Sequence, residues 1–270
     1  MPSLLKKYRL SLNKNLGQHF LANESYLQKI VDAASLNKDS RVFEIGPGSG
    51  NLTRLLVATG AQLIALEKDT RWCEILKTEI HGENFQLIEG DILEFDPSCL
   101  RLYALPPYKA LGNLPYNIAT EIIFHLLENR HLFSDFFFLI QKEVANRLKA
   151  SEGGKDYGVP SLMVQLFCEV KTLFHIPPGA FVPPPKVDSS LVHLKIHQDP
   201  RWPVKDLKLF KQVVRTAFQQ RRKTLVNSLT PFFPSKKEGQ TFLELQGISP
   251  NTRPEELSLP TWTQLSNALA

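Results

Sequence analysis

Apolar positions recur along this chain with two different periods, and the change between them marks its architecture. Between residues 24 and 36, Tyr26, Leu27, Ile30, Val31 and Ala34 are spaced by three and four, which predicts an amphipathic helix with Asn23 as its N-cap. From residue 41 the pattern becomes short apolar runs separated by helical stretches. Strands are expected over 41–45, 62–66, 85–88 and near 109–111, with a helix over 52–58 after the first. The run over 135–140 contains three consecutive phenylalanines and predicts a central buried strand, followed by a helix with basic positions over 141–149. Strands alternating with helices in this way predict an α/β fold.

A glycine-rich loop over 151–158 precedes an expected helix over 160–170, a strand over 171–176 and a proline-stiffened extended loop over 177–189. Residues 191–197 alternate as a final strand. Past Asp199-Pro200 the strands stop: Leu209, Phe210, Val213, Val214, Ala217 and Phe218 form a helical stripe, and shorter helices are expected near 236–246, from Arg253 and over 261–269. The chain therefore divides, near 198–204, into a domain over 1–200 and a small all-helical domain over 201–270.

The ends of the predicted strands carry the candidate chemistry. The first runs into Gly46-Pro47-Gly48-Ser49-Gly50, a turn that lets backbone approach a ligand closely. A dinucleotide fingerprint would place its third glycine where Asn51 stands, and no hydride-acceptor constellation accompanies it, so a nicotinamide enzyme is disfavoured. Glu67 ends the second strand, twenty-one positions after Gly46, where a carboxylate can accept hydrogen bonds from both ribose hydroxyls. Asp91 follows the third strand, placed to accept from an adenine amine. Each acid alone is also compatible with a surface or capping role; together at three strand ends they favour a nucleoside cofactor.

The fourth strand delivers Gly112-Asn113-Leu114-Pro115-Tyr116-Asn117 to the same edge. An exocyclic amine such as N6 of adenine is a poor nucleophile until its N–H bonds are held by acceptors. Asn113 offers a side-chain carbonyl and Pro115 a backbone one, while Tyr116 offers a face on which an extruded base can stack. A sulfonium methyl donor in line with the nitrogen would then need mainly positioning. The plain alternative is a strand-to-helix turn with Asn117 as N-cap. Leu105-Pro106-Pro107-Tyr108 has the proline-aromatic half of an amino-methyltransferase signature, but Leu105 supplies no acceptor, and this stretch reads as the loop before the strand. In the proline loop, Phe181 is either a second stacking face or a hydrophobic plug.

Composition changes the picture little: 43% hydrophobic and 22% charged residues describe an ordinary soluble protein. The absence of a long apolar run or secretory core leads to the expectation of a cytoplasmic protein with no membrane partner. Cys73, Cys99 and Cys168 show neither a disulfide framework nor zinc spacing, and no metal is expected. Charge says more. Residues 1–20 carry +4 and residues 201–270 carry +6 within a total of +5, so basic ends flank an acidic body. Lys6, Lys7, Arg147, Arg221, Arg222 and Lys223 are the candidate phosphate contacts, with a solvated basic surface as the alternative.

With Gly17-Gln18-His19-Phe20-Leu21, Glu44-Ile45-Gly46-Pro47-Gly48, Asn113-Leu114-Pro115-Tyr116-Asn117, Gln141-Lys142-Glu143-Val144, 181–189 and Arg221-Arg222-Lys223-Thr224-Leu225 assembled, the chain resembles the ribosomal RNA adenine N6-dimethyltransferases, most closely their bacterial small-subunit (16S) branch. The resemblance implies a Rossmann-like S-adenosylmethionine-dependent methyltransferase fold followed by a small helical domain. It implies transfer of two methyls to each of two adjacent adenosines in the 3′-terminal hairpin loop of small-subunit rRNA in a pre-ribosomal particle, by a protein expected to act as a monomer. It also implies donor contacts at His19, Leu21, Gly46, Glu67, Asp91 and Asn113, and a target base held by Asn113, Leu114, Pro115, Tyr116 and Phe181. The family commonly has Asn where this chain has His19. A large-subunit rRNA adenine methyltransferase and a non-catalytic RNA-binding assembly factor on the same fold remain the competing readings.

Overall fold

The computed structural model describes Lys7, Tyr8 and residues 18–270. In chain order its strands are β1 (Phe20–Leu21), β2 (Arg41–Ile45), β3 (Gln62–Glu67), β4 (Phe85–Glu89), β5 (Tyr108–Asn113), β6 (Phe133–Gln141), β7 (Cys168–Ile176), β8 (Phe181–Val182) and β9 (Ser189–Ile196). The α-helices are α1 (Glu24–Ala34), α2 (Asn51–Ala58), α3 (Thr70–Glu79), α4 (Ala119–Glu128), α5 (Lys142–Lys149), α6 (Val159–Gln165), α7 (Leu207–Gln219), α8 (Leu225–Ser228), α9 (Lys236–Leu245) and α10 (Leu259–Leu269).

Seven strands form one sheet in the order β4-β3-β2-β5-β6-β9-β7. The first five in that order are parallel, and β9 lies antiparallel to β6. The phenylalanine run occupies β6 with Phe136 and Phe138 fully buried, as expected of a strand covered on both faces. Asn23 caps α1, its side chain accepting the Tyr26 N–H at 3.3 Å. One expectation, and one detail of an alternative reading, need correction. The helix expected over 160–170 ends at Gln165 and gives way to β7, because Phe167 and Cys168 turn into the core. Asn117 is exposed and caps nothing; Ile118 stands at the N-cap of α4 without a side-chain bond.

The chain separates into two compact units, Met1–Ala145 with Glu169–Gln198, and Asn146–Cys168 with Asp199–Ala270. The sequence-based division assigned 146–168 to the first domain; these residues cluster with the second unit. Within the second unit, Gln165 Nε2 donates to the Leu148 and Ala150 carbonyls, and Tyr157 donates its hydroxyl to the Leu257 carbonyl at 2.9 Å.

The position of Asn113 follows from strand register. Ile45 at the end of β2 is opposite Gly112 of β5, so Asn113 is the next residue along at the carboxyl edge, beside the Gly46 turn. A Cβ on Gly112 would lie 2.5 Å from the Ile45 carbonyl oxygen, which is itself sheet backbone and has little room to yield. Gly112→Ala should therefore cost about 1–3 kcal/mol in denaturant unfolding, and a midpoint equal to the native protein's would show that the strands separate without penalty.

Candidate active site

Because β2, β3, β4 and β5 run parallel, their following loops meet at one edge, the place where open α/β sheets bind ligands. A cleft of about 270 Å³ opens there. Gly46, Gly48, Glu67, Asp91 and Asn113 through Tyr116 all line it, together with Gln18, His19 and Phe20 from the N-terminal side. Gly46 and Gly48 both have positive φ, and a Cβ on Gly48 would strike the Phe20 ring at 2.3 Å, so the loop can pass this close only as glycine.

Glu67 is 6% exposed, and its two carboxylate oxygens accept the Gly48 N–H at 2.9 Å and the Asp69 N–H at 2.8 Å. Burial pushes this carboxyl up, opposed by those two amides. The bonds fix its orientation while leaving each oxygen a lone pair for a further donor. Asp91 accepts from Lys68 Nζ at 2.5 Å and from the Leu93 N–H at 3.0 Å, and Lys68 holds its carboxyl below the ordinary range. Lys68 also lines the cleft, a feature that sequence reasoning missed because a lysine after a strand-end acid has no distinguishing signal.

Asn113 is held from one side only. Its Nδ2–H donates to the His19 carbonyl oxygen at 2.6 Å, whereas its Oδ1 is buried with no partner among the described residues. A carbonyl oxygen can only accept, so the nitrogen must face His19 and the oxygen is the free end. The Pro115 carbonyl accepts the Ile118 N–H at 3.2 Å and keeps its second lone pair. Tyr116 is half-buried, its hydroxyl 2.6 Å from Ser189 Oγ.

A family model described as "Ribosomal RNA adenine dimethylase" matches residues 9–270. The chain belongs to the ribosomal RNA adenine dimethylase family. It is 42% identical over 268 residues to a protein of Pseudomonas fluorescens named "Ribosomal RNA small subunit methyltransferase A", covering 99% of this chain and 97% of that one. It is 40% identical to a protein of the same name from Halothermothrix orenii, covering 98% of this chain and 91% of that one. Among solved structures it is similar to a dimethyladenosine transferase from Plasmodium falciparum, with TM-score 0.77 and 27% identity over 92% of this chain and 96% of the other. The structure of the 23S rRNA methyltransferase ErmE shares the fold, with TM-score 0.66 and 24% identity over 93% and 99% of the two chains.

Several residues expected in the family's site lie elsewhere. Leu21 is 5% exposed within the hydrophobic core and does not line the cleft; adjacent residues of a strand face opposite ways, and in β1 it is Phe20 that faces the ligand side. The Leu21 carbonyl accepts the Asn51 Nδ2–H at 3.0 Å, which gives the residue in place of the fingerprint's third glycine a structural task. Phe181 pairs with Leu21 across the β1–β8 ribbon and is 2% exposed in the same core cluster. The structure does not bring it to the cleft, and its packing is that of a plug. Arg221 is largely committed inside its own unit: its guanidinium donates to the Lys155 and Gly154 carbonyls at 2.6 and 3.0 Å and lies 3.8 Å from Glu255. Arg147, Arg222 and Lys223 are exposed, Lys7 pairs with Glu79, and Lys6 lies outside the described residues.

Behind the cleft a second cavity of about 40 Å³ is lined by Glu44, Ser49, Asn51, Gly112 and Asn113 among others. Glu44 is 1% exposed, its Oε2 has no partner among the described residues, and burial pushes its carboxyl up to about 8 despite Thr53 beside it, whose hydroxyl makes no hydrogen bond of normal geometry to them. The folded protein thus keeps a proton on Glu44 that the unfolded chain releases at the ordinary value. Stability from this group is full below about pH 4.5 and is lost as pH rises towards 8. Glu44→Gln should remove that slope, gaining on the native protein between pH 5 and 8 by the order of a few kcal/mol in chemical unfolding. Parallel stability–pH curves would show that Glu44 titrates normally.

Proposed function

We propose that this protein transfers methyl groups from S-adenosylmethionine to N6 of two adjacent adenosines in the 3′-terminal hairpin loop of small-subunit rRNA. The observation that carries the reading is the Asn113 carboxamide, with its nitrogen fixed by the His19 carbonyl and its oxygen left without a partner beside the cleft. Family membership and relatives named as small-subunit methyltransferases at 40–42% identity support the small-subunit substrate over the large-subunit alternative. The substrate within a pre-ribosomal particle, action as a monomer and a cytoplasmic site belong to the same proposal. No described helix is long and apolar enough to cross a membrane.

The residues present fit the donor. Glu67, oriented by the Gly48 and Asp69 amides, would accept from the ribose hydroxyls, Asp91 would accept from an adenine amine, and Gly46, with nothing within 4 Å of where its Cβ would stand, leaves room for close approach. When bound, S-adenosylmethionine supplies an electrophilic methyl on a sulfonium. Asn113 Oδ1 and the Pro115 carbonyl would accept hydrogen bonds from the two N6–H groups, holding the nitrogen lone pair out of conjugation and towards the methyl; the N–C bond would form as the S–C bond breaks to leave a neutral thioether, and the methylated nitrogen would release its surplus proton to solvent. Tyr116 provides the face on which the extruded base stacks, an interaction worth about 1–3 kcal/mol in nucleic-acid sites. Orientation of the two reactants then supplies much of the barrier reduction.

Asn113→Ala should lower turnover on undermethylated small subunits by at least about 10²-fold with an unchanged unfolding transition. Native product yield from the folded variant would remove Asn113 from the mechanism. Replacing Arg222 and Lys223 with Ala should weaken RNA binding and flatten the log K against log salt slope by roughly 0.7–0.9 for each phosphate no longer neutralised. An unaltered slope would make these two cations ordinary surface charges.

A further inference from the structure

His19 joins three parts of the cleft that come from separate elements. Its main-chain oxygen holds Asn113, its ring nitrogen Nδ1 is 2.8 Å from the Pro183 carbonyl oxygen, and its ring stacks on Tyr116 with centroids 5.6 Å apart and planes 18° from parallel. Since the Pro183 oxygen can only accept, Nδ1 carries the proton and donates. The imidazole is thereby anchored to the loop after β8, and it presses on Tyr116 from a fixed side. At its other end Tyr116 is tied through its hydroxyl to Ser189 at the start of β9.

This clamp decides which face of Tyr116 can receive a base. A ring inserted between His19 and Tyr116 would need a separation of about 7 Å, twice the ~3.5 Å contact distance between aromatic carbons. The observed 5.6 Å leaves no such slot. A base stacking on Tyr116 would therefore use the opposite face, with the imidazole behind the phenol ring.

We propose that His19 is a positioning residue for the target base, acting through Tyr116: its imidazole braces the stacking face while its Nδ1–H fixes the 183 loop. The proposal rests on the adenine-acceptor reading above. It differs from the donor contact that the family resemblance implies for this position, because only the main-chain oxygen, retained in any variant, serves Asn113.

The test uses the full chain with undermethylated small subunits and native protein in parallel. His19→Ala should lose roughly tenfold in kcat/KM for RNA, the scale of one aromatic contact and one hydrogen bond, with donor affinity by calorimetry unchanged. His19→Phe, which keeps a ring but loses the Nδ1 donor, should recover part of the loss. In a Tyr116→Leu background, His19→Ala should add little, since the two act as one unit. Additive losses, an equal fall in donor affinity, or an unchanged kcat/KM in His19→Ala would each overturn the proposal. Should His19→Ala fail to fold, His19→Leu in the two Tyr116 backgrounds, which removes the ring while keeping an apolar side chain, gives the same cycle. Failure of the native protein to methylate would strike the adenine-acceptor reading instead.

Discussion

The structure depends on a buried acceptor that the chain leaves unpaired. An unsatisfied buried carbonyl costs about 1–3 kcal/mol, and proteins retain such groups where a ligand will satisfy them. Asn113 Oδ1 has no partner among the described residues, and two constraints hold it there: the His19 carbonyl has taken the amide nitrogen, and the Gly112–Ile45 approach fixes the backbone. Neither constraint is local in sequence. His19 is ninety-four residues from Asn113, and the sheet register that seats Gly112 is set by β2.

The carboxylates around this site are separated by environment. Glu44 and Glu67 are both buried and both shifted upward, yet Glu67 has two amide donors and Glu44 has no such bonds. Glu67 can therefore stay oriented as an acceptor at the cleft, whereas Glu44 keeps its proton to about pH 8 and stands as a neutral group behind it. Asp91 is held low by Lys68.

Much of this is legible in the sequence because parallel strands covered on both faces read as short apolar runs, and the strand ends then point to one edge. Gly46, Glu67, Asp91 and Asn113 emerge that way and do share a cleft. What fails does so for identifiable reasons. The donor contact that the resemblance implies at Leu21 falls on a residue whose side chain lies in the core cluster while its neighbour Phe20 lines the cleft, an alternation that a two-residue strand is too short to show in sequence. Phe181 stays open between plug and platform until β1 and β8 are seen to pair. Arg221 cannot be told from Arg222 and Lys223 by charge; only the carbonyls of Gly154 and Lys155 distinguish it.

That last distinction bears on how RNA is gripped. Two of the five N–H donors of Arg221 go to the Lys155 and Gly154 carbonyls and Glu255 lies 3.8 Å from a third nitrogen, so this side chain is held against the glycine loop that it bonds. Arg222 and Lys223 follow it directly and are exposed, so the anchored arginine fixes the backbone from which two exposed cations extend. Three adjacent basic residues thus divide into one that shapes the surface and two that charge it. The salt dependence of RNA binding should follow the two rather than the three.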